Sequence, residues 1–309
     1  MSLSVFIFLA IIDAVTGSNV LATLLGFGDT KVDPDLMTNA MTAAGIVQGA
    51  LLMFNPILSL KMYGTKEDTL YSRVHAEGTG AAVLTFGVAC FCVFNMKLDT
   101  FKTFGFSSLV WTTQHIRMLA RQDPKKLGAS SRGNIVWLIF SLAAIHACFT
   151  SAAYTKKLMM AGHSLFAFHN IMVLVKPKVV RKIYGYKKMK LSNDEKEWLI
   201  AFAYENLAVC VFGLNLAAGV EAHKSLGFGS LVVVAHCAHS FVGNFNLGLL
   251  GSFLMFFWMV FHASYAANFI SCEVGYAMAS IIVAVAALKL TSVPTNFEFP
   301  QLASEELTK

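Results

Sequence analysis

The sequence predicts an all-α polytopic integral membrane protein with about nine or ten transmembrane helices. Three observations carry this. The 309 residues are 56% hydrophobic and only 14% charged, whereas a soluble domain normally carries about a quarter charged residues. Apolar stretches of roughly 17 to 25 residues recur along almost the whole chain, each long enough to cross about 30 Å of hydrocarbon. They also run too long and too continuously apolar for barrel strands, which alternate over about ten residues. Lipid leaves every backbone amide to find an internal partner, so such segments are helices.

Ten spans follow in order. The first, 3–25, opens with an apolar run before Asp13 and Val15-Thr16-Gly17. It reads either as a span or as a signal peptide cleaved after Gly17, although no Lys or Arg precedes the run. The second, 36–60, contains Gly45-xxx-Gly49, a close-packing face for another helix. Span 77–95 starts at Glu77, and span 103–120 carries Gln114 and His115 near its end. His146 lies in 134–154; His163 and His169 lie in 158–175. Glu205, Asn206 and Asn215 lie in 198–220, His236 and His239 in 226–243, and His262 in 247–268. The last span, 274–290, precedes a polar tail.

The net charge of +6 does not indicate nucleic-acid binding, because the lysines and arginines sit almost wholly in the links between apolar segments. Links 60–76, 117–133 and 176–197 and the tail fall on one side with eighteen positive residues, against six on the other. Positive loops stay cytoplasmic, so the C-terminus is expected on the cytoplasmic-equivalent side. The six cysteines form no CxxC pair and read as small core residues. The lipid bilayer is the one partner implied; a homo-oligomer or a larger membrane complex is compatible with it.

An internal repeat is legible. Pro56, Lys61, Tyr63 and Gly64 match Pro177, Lys182, Tyr184 and Gly185 at one spacing. Glu77 then pairs with Glu205, Phe106-Ser107-Ser108 with Phe228-Gly229-Ser230, and His146 with His262. This organises the chain as a first helix or signal peptide (1–35), four-helix unit A (36–154), four-helix unit B (155–270), and a final helix with its tail (271–309). Two units of four helices share one orientation, a parallel repeat. In the Pro, Lys and Tyr motif, the proline ends a helix, the lysine snorkels and the tyrosine anchors at the headgroups.

Charged groups in a bilayer cost a few kcal/mol each, so each one asks for a reason. Glu77, Glu205, His115, His146, His236 and His262 are the candidates for a pathway between the units, with His146 and His262 expected to face each other across the pseudo-axis. Glu205 is expected to carry a proton, while Glu77, near the headgroups, stays hydrated and ionised. His236-x-x-His239 places two imidazoles on one helical face, weak candidates for a metal or haem; no cofactor is otherwise implied. No phosphate loop, G-x-S-x-G, HExxH or dinucleotide fingerprint occurs. The leading expectation is a transporter or channel-like protein for a small solute or ion. The alternatives are a non-catalytic accessory or scaffold subunit of a membrane complex and a histidine-ligated redox or lipid-modifying enzyme.

Overall fold

A computed structural model describes residues 33–151, 153–187, 190–243 and 247–270. The expected spans 3–25 and 274–290, the cleavage question and the polar tail lie outside the described residues. Within them the protein is all-α, with no strand. The helices are α1 (Pro34–Phe54), α2 (Pro56–Met62), α3 (Leu70–Cys90, extended by a π-turn through Phe91–Asn95) and α4 (Thr100–Ala120). They continue with α5 (Asp123–Lys126), α6 (Arg132–Phe149), α7 (Thr155–Val175), α8 (Pro177–Ile183), α9 (Asn193–Ala218), α10 (Ala222–Val242) and α11 (Gly248–Phe269). Seven are long and apolar enough to cross a membrane. The protein is thus a multi-pass membrane protein in build. α4 has the same 21-residue length as α1 but is less apolar, with Lys102, Gln114, His115 and Arg117 along it.

Local chemistry explains the boundaries. Asp33 caps α1 by accepting from the Asp35 and Leu36 amides, with Pro34 at the first helical position. Asn55 then interrupts the expected span 36–60, since Pro56 supplies no amide donor, and the Asn55 side chain caps α2 through Leu58 N. Lys176 adopts nearly the same backbone geometry before Pro177: φ is −133° at Asn55 and −134° at Lys176. Both short helices have seven residues, and each is followed by a glycine at positive φ, 78° at Gly64 and 74° at Gly185. Thr69 caps α3, and Ser192 caps α9 in a reciprocal capping box with Glu195. α3 with its π-turn, and α9, each span 26 residues.

Packing sets the architecture. α3 and α9 lie against each other; α1 and α4 pack on α3, and α6 on α4. In the same way α7 and α10 pack on α9, and α11 on α10. α6 also touches α7, while α11 returns to α1 through Tyr265 Oη, 3.1 Å from Thr38 Oγ1. In lipid, helix association relies on close van der Waals contact, and α1 meets α3 through glycines. A Cβ on Gly49 would sit 2.6 Å from the Leu84 Cα, and one on Gly80 2.6 Å from the Leu52 Cβ. Gly45 and Gly49 therefore form the close-packing face that the sequence suggests. Outward, Val136 and Ile139 on α6 and Leu165 and Phe168 on α7 are exposed, as befits a lipid-facing surface.

The links carrying most of the basic residues meet at one end. Asp194 accepts from the Lys66 and Glu67 amides at 2.7 Å each, Trp198 donates to Thr65 Oγ1 at 2.9 Å, and Ser130 N donates to the Tyr184 carbonyl at 2.9 Å. The five described cysteines are buried and free; Cys272 lies outside the described residues.

Two sequence expectations are corrected here, the hydrated Glu77 and the facing pair His146 and His262. α3 begins at Leu70, so Glu77 is two turns inside its helix, 4% exposed, and is no hydrated group at the headgroups. Glu77 stands eight residues beyond its N-cap Thr69 and Glu205 thirteen beyond Ser192, so the two carboxylates lie at different depths of their helices. His146 lies exposed on α6 whereas His262 is buried on α11; they do not face each other.

Candidate functional site

α1, α3, α9, α10 and α11 enclose a cavity of about 70 Å³. That is room for a few water molecules, since one needs roughly 10–15 Å³. Its walls are mostly apolar, with a set of polar groups converging on it: Gln48, Tyr63, Thr79, Glu197, Glu205, His236, Ser240 and His262. This is the usual make-up of a small-ligand site.

Several of these groups are placed by local devices. The break at Asn55 and the short helix α2 bring Tyr63 back beneath α1, where Gln48 Nε2 donates to its hydroxyl. Burial, and secondarily Cys237 and Glu205, push the Tyr63 phenol up from its ordinary value. Tyr63 is therefore a neutral donor and acceptor. Glu205 on α9 accepts from His236 Nδ1 on α10 at 2.8 Å; the two side chains are 13% and 8% exposed. Tyr204, one residue before Glu205, stacks on His236 with ring centroids 5.5 Å apart and hydrogen-bonds His239 Nδ1 at 3.1 Å. His262 Nδ1 lies 3.1 Å from Ser230 Oγ.

Glu205 and His236 form an acid–imidazole pair at the cavity wall. With neutral imidazole donating to carboxylate, the pair carries one negative charge; one added proton makes it net neutral, as an ion pair or as acid and imidazole. A low-dielectric surrounding makes that difference costly.

The cavity brings together Glu205, His236 and His262 of the sequence candidates. Glu77 is elsewhere, held by Arg121 through both carboxylate oxygens (Nη1 to Oε1 2.9 Å) and approached by Gln114 Nε2 at 3.4 Å. Arg121 also binds Asp123, Nε to Oδ2 at 2.9 Å. His115 lines a separate cavity. His146 lines neither. His239 is exposed and turned to Tyr204, and among the described residues no three His, Cys, Asp or Glu side chains converge as a metal site. Of the expected anchors, Pro56 and Pro177 start the short helices, and Lys61 and Lys182 are exposed beside them. Tyr63 and Tyr184 turn inward instead: Tyr63 takes the Gln48 bond, and Tyr184 accepts from Trp137 Nε1 at 2.8 Å.

Sequence reasoning missed Arg121 as the partner of Glu77, because it stands in a basic link. It also missed Tyr63 and Gln48 as cavity residues. Their signal was present in part: the Asn55-Pro56 break means that Tyr63 cannot continue outward along α1.

Comparison with protein families, with curated proteins and with solved structures finds no match to this chain.

Proposed function

We propose that this protein is a proton-linked transporter or channel-like protein for a small solute or ion, built from two parallel four-helix copies, with Glu205 and His236 as its proton-holding pair. The observation that carries this is the 2.8 Å contact between the two side chains at the wall of an intramembrane cavity. Ionisable groups inside a bilayer are rare and mark pathways or relays. Gln48, Tyr63 and His262 supply donors and acceptors to the same space, so a polar solute or a short water file finds partners there. On this reading the links 60–76, 117–133 and 176–197 face the cytoplasmic-equivalent side, as their excess of lysine and arginine requires.

The test uses the full chain in vesicles loaded with a pH-sensitive dye, with a potassium diffusion potential imposed by valinomycin. Proton entry, alone and with a panel of small solutes, is followed by dye fluorescence. The wild type should show a pH-dependent flux; Glu205→Gln and His236→Gln should abolish it, and Glu77→Gln should reduce it less. A correctly folded Glu205→Gln protein with unchanged pH dependence would falsify the assignment. A wild type that moves neither protons nor solutes, but purifies as a stoichiometric native complex, would be read as an accessory subunit.

A further inference from the structure

We infer that a second, elongated cavity between α3, α4, α6, α7 and α9 binds a membrane-soluble amphiphile whose head is a flat ring bearing carbonyl oxygens, a prenylated quinone by chemical class. The inference is independent of the transport reading, since it uses none of that cavity's residues.

The cavity has two chambers. One, of about 110 Å³, lies at the end where the basic links meet, between Tyr71, His75, His169 and Tyr184. The other, of about 90 Å³, continues toward the opposite end between Ala89, Phe104, Phe140, Ala144 and Met159. Trp111, His115, Trp137 and Phe166 line both, so the chambers adjoin across these side chains. The second chamber also carries Thr85, Ser107, Ser141 and His163, but each bonds a carbonyl of its own helix, so a space with unpartnered polar groups at one end and few free ones at the other has the build of an amphiphile lying along the bilayer normal.

The head end states its chemistry. His115 is 8% exposed and Tyr71 is 4% exposed. The His115 Nδ1, the Tyr71 hydroxyl, the Trp111 Nε1 and both ring nitrogens of His169 have no hydrogen-bond partner among the described residues. A buried polar group left unmade costs about 1–3 kcal/mol, and several in one cavity call for a common cause. Indole N–H, phenol O–H and the guanidinium of Arg181, 3% exposed in the same chamber, offer protons, and each neutral imidazole offers one proton and one acceptor nitrogen, so the complementary ligand presents mainly acceptor oxygens. The walls favour a ring between them: Trp137 and Phe166 lie 4.9 Å apart, and Trp111 meets Phe166 and Phe202 edge-on at 5.8 and 6.3 Å.

The two cavities also share a plan. Gln48 and His169, Tyr63 and Tyr184, and Trp258 and Trp137 are each 121 positions apart, the first of each pair in one cavity and the second in the other. The second cavity has no carboxylate facing an imidazole, because Glu77 is taken by Arg121. It is a place to hold a ligand, without the proton-holding pair of the first.

The four tryptophans divide two to each cavity, which makes a fluorescence test specific. The Trp198→Phe/Trp258→Phe protein, in lipid nanodiscs and shown folded by circular dichroism, is titrated with decylubiquinone. Quenching should saturate at one quinone per chain. Tyr71→Phe with His115→Leu on that background should raise the apparent Kd about tenfold or more, the loss of roughly 1.4 kcal/mol or more. Ala144→Phe, at the deep end, should exclude the decyl compound while leaving binding of a short-tailed quinone. Three results would overturn the inference: quenching that rises linearly with quinone, equal displacement by decanol or a phospholipid, or saturable quenching seen only in the Trp111→Phe/Trp137→Phe protein.

Discussion

Arg121→Gln tests whether Glu77 is held inside the helix bundle by a charge partner. Glu77 and Asp123 have side chains 5% and 4% exposed, and Arg121, at 38%, binds both. Removing one partner of a buried pair typically costs about 3–5 kcal/mol, because the remaining charge stays uncompensated. The partial exposure of Arg121 lets water screen some of this, which brings the expected loss to about 2–3 kcal/mol. Glu77→Gln should cost less, about 1 kcal/mol, since Gln114 stays beside it and Arg121 keeps Asp123. The double variant should recover part of the Arg121→Gln loss, a coupling of about 1–2 kcal/mol. Unfolding in mixed micelles at rising SDS fraction, followed by circular dichroism, measures all four proteins. Equal losses for the two single variants, or additivity within about 0.5 kcal/mol, would refute the reasoning.

Three further outcomes are expected. Gly80→Val should destabilise by about 1–3 kcal/mol or more, since its side chain would enter the α1 backbone at Leu52 and Met53; the same unfolding assay reads it, and a neutral result would mean that α1 does not lie this close to α3. Asp194→Ala should free the 66–67 amides that it accepts from, costing about 1–3 kcal/mol and speeding proteolysis in link 63–69, whereas unchanged cleavage there would deny that this contact ties the links together. The Arg73 guanidinium holds the Asp68 carboxyl below its usual value; a depressed carboxylate contributes stability above its unfolded pKa and loses it as pH falls through the folded one. Both side chains are 40% exposed, so Asp68→Asn should cost at most about 1 kcal/mol at neutral pH and nothing at low pH; an equal cost at both would show that charge is not its cause.

What the sequence by itself determined is the helical, membrane-spanning build, because hydropathy and length are local properties that need no partner. The break at Pro56 and the turn at Gly64 are local for the same reason: a missing amide and a positive φ belong to those residues. Tertiary structure alone decided which polar groups meet. Glu205 and His236 are 31 residues apart and join because α9 and α10 pack at one rotation about their axes; apolar length says nothing of that angle. A few residues of register turn a side chain from a cavity to lipid, which is why His262 is buried against Ser230 while His146 faces outward. Glu77 likewise takes its character from Arg121, 44 residues away, and charge pairing across helices is fixed by packing that no single segment encodes.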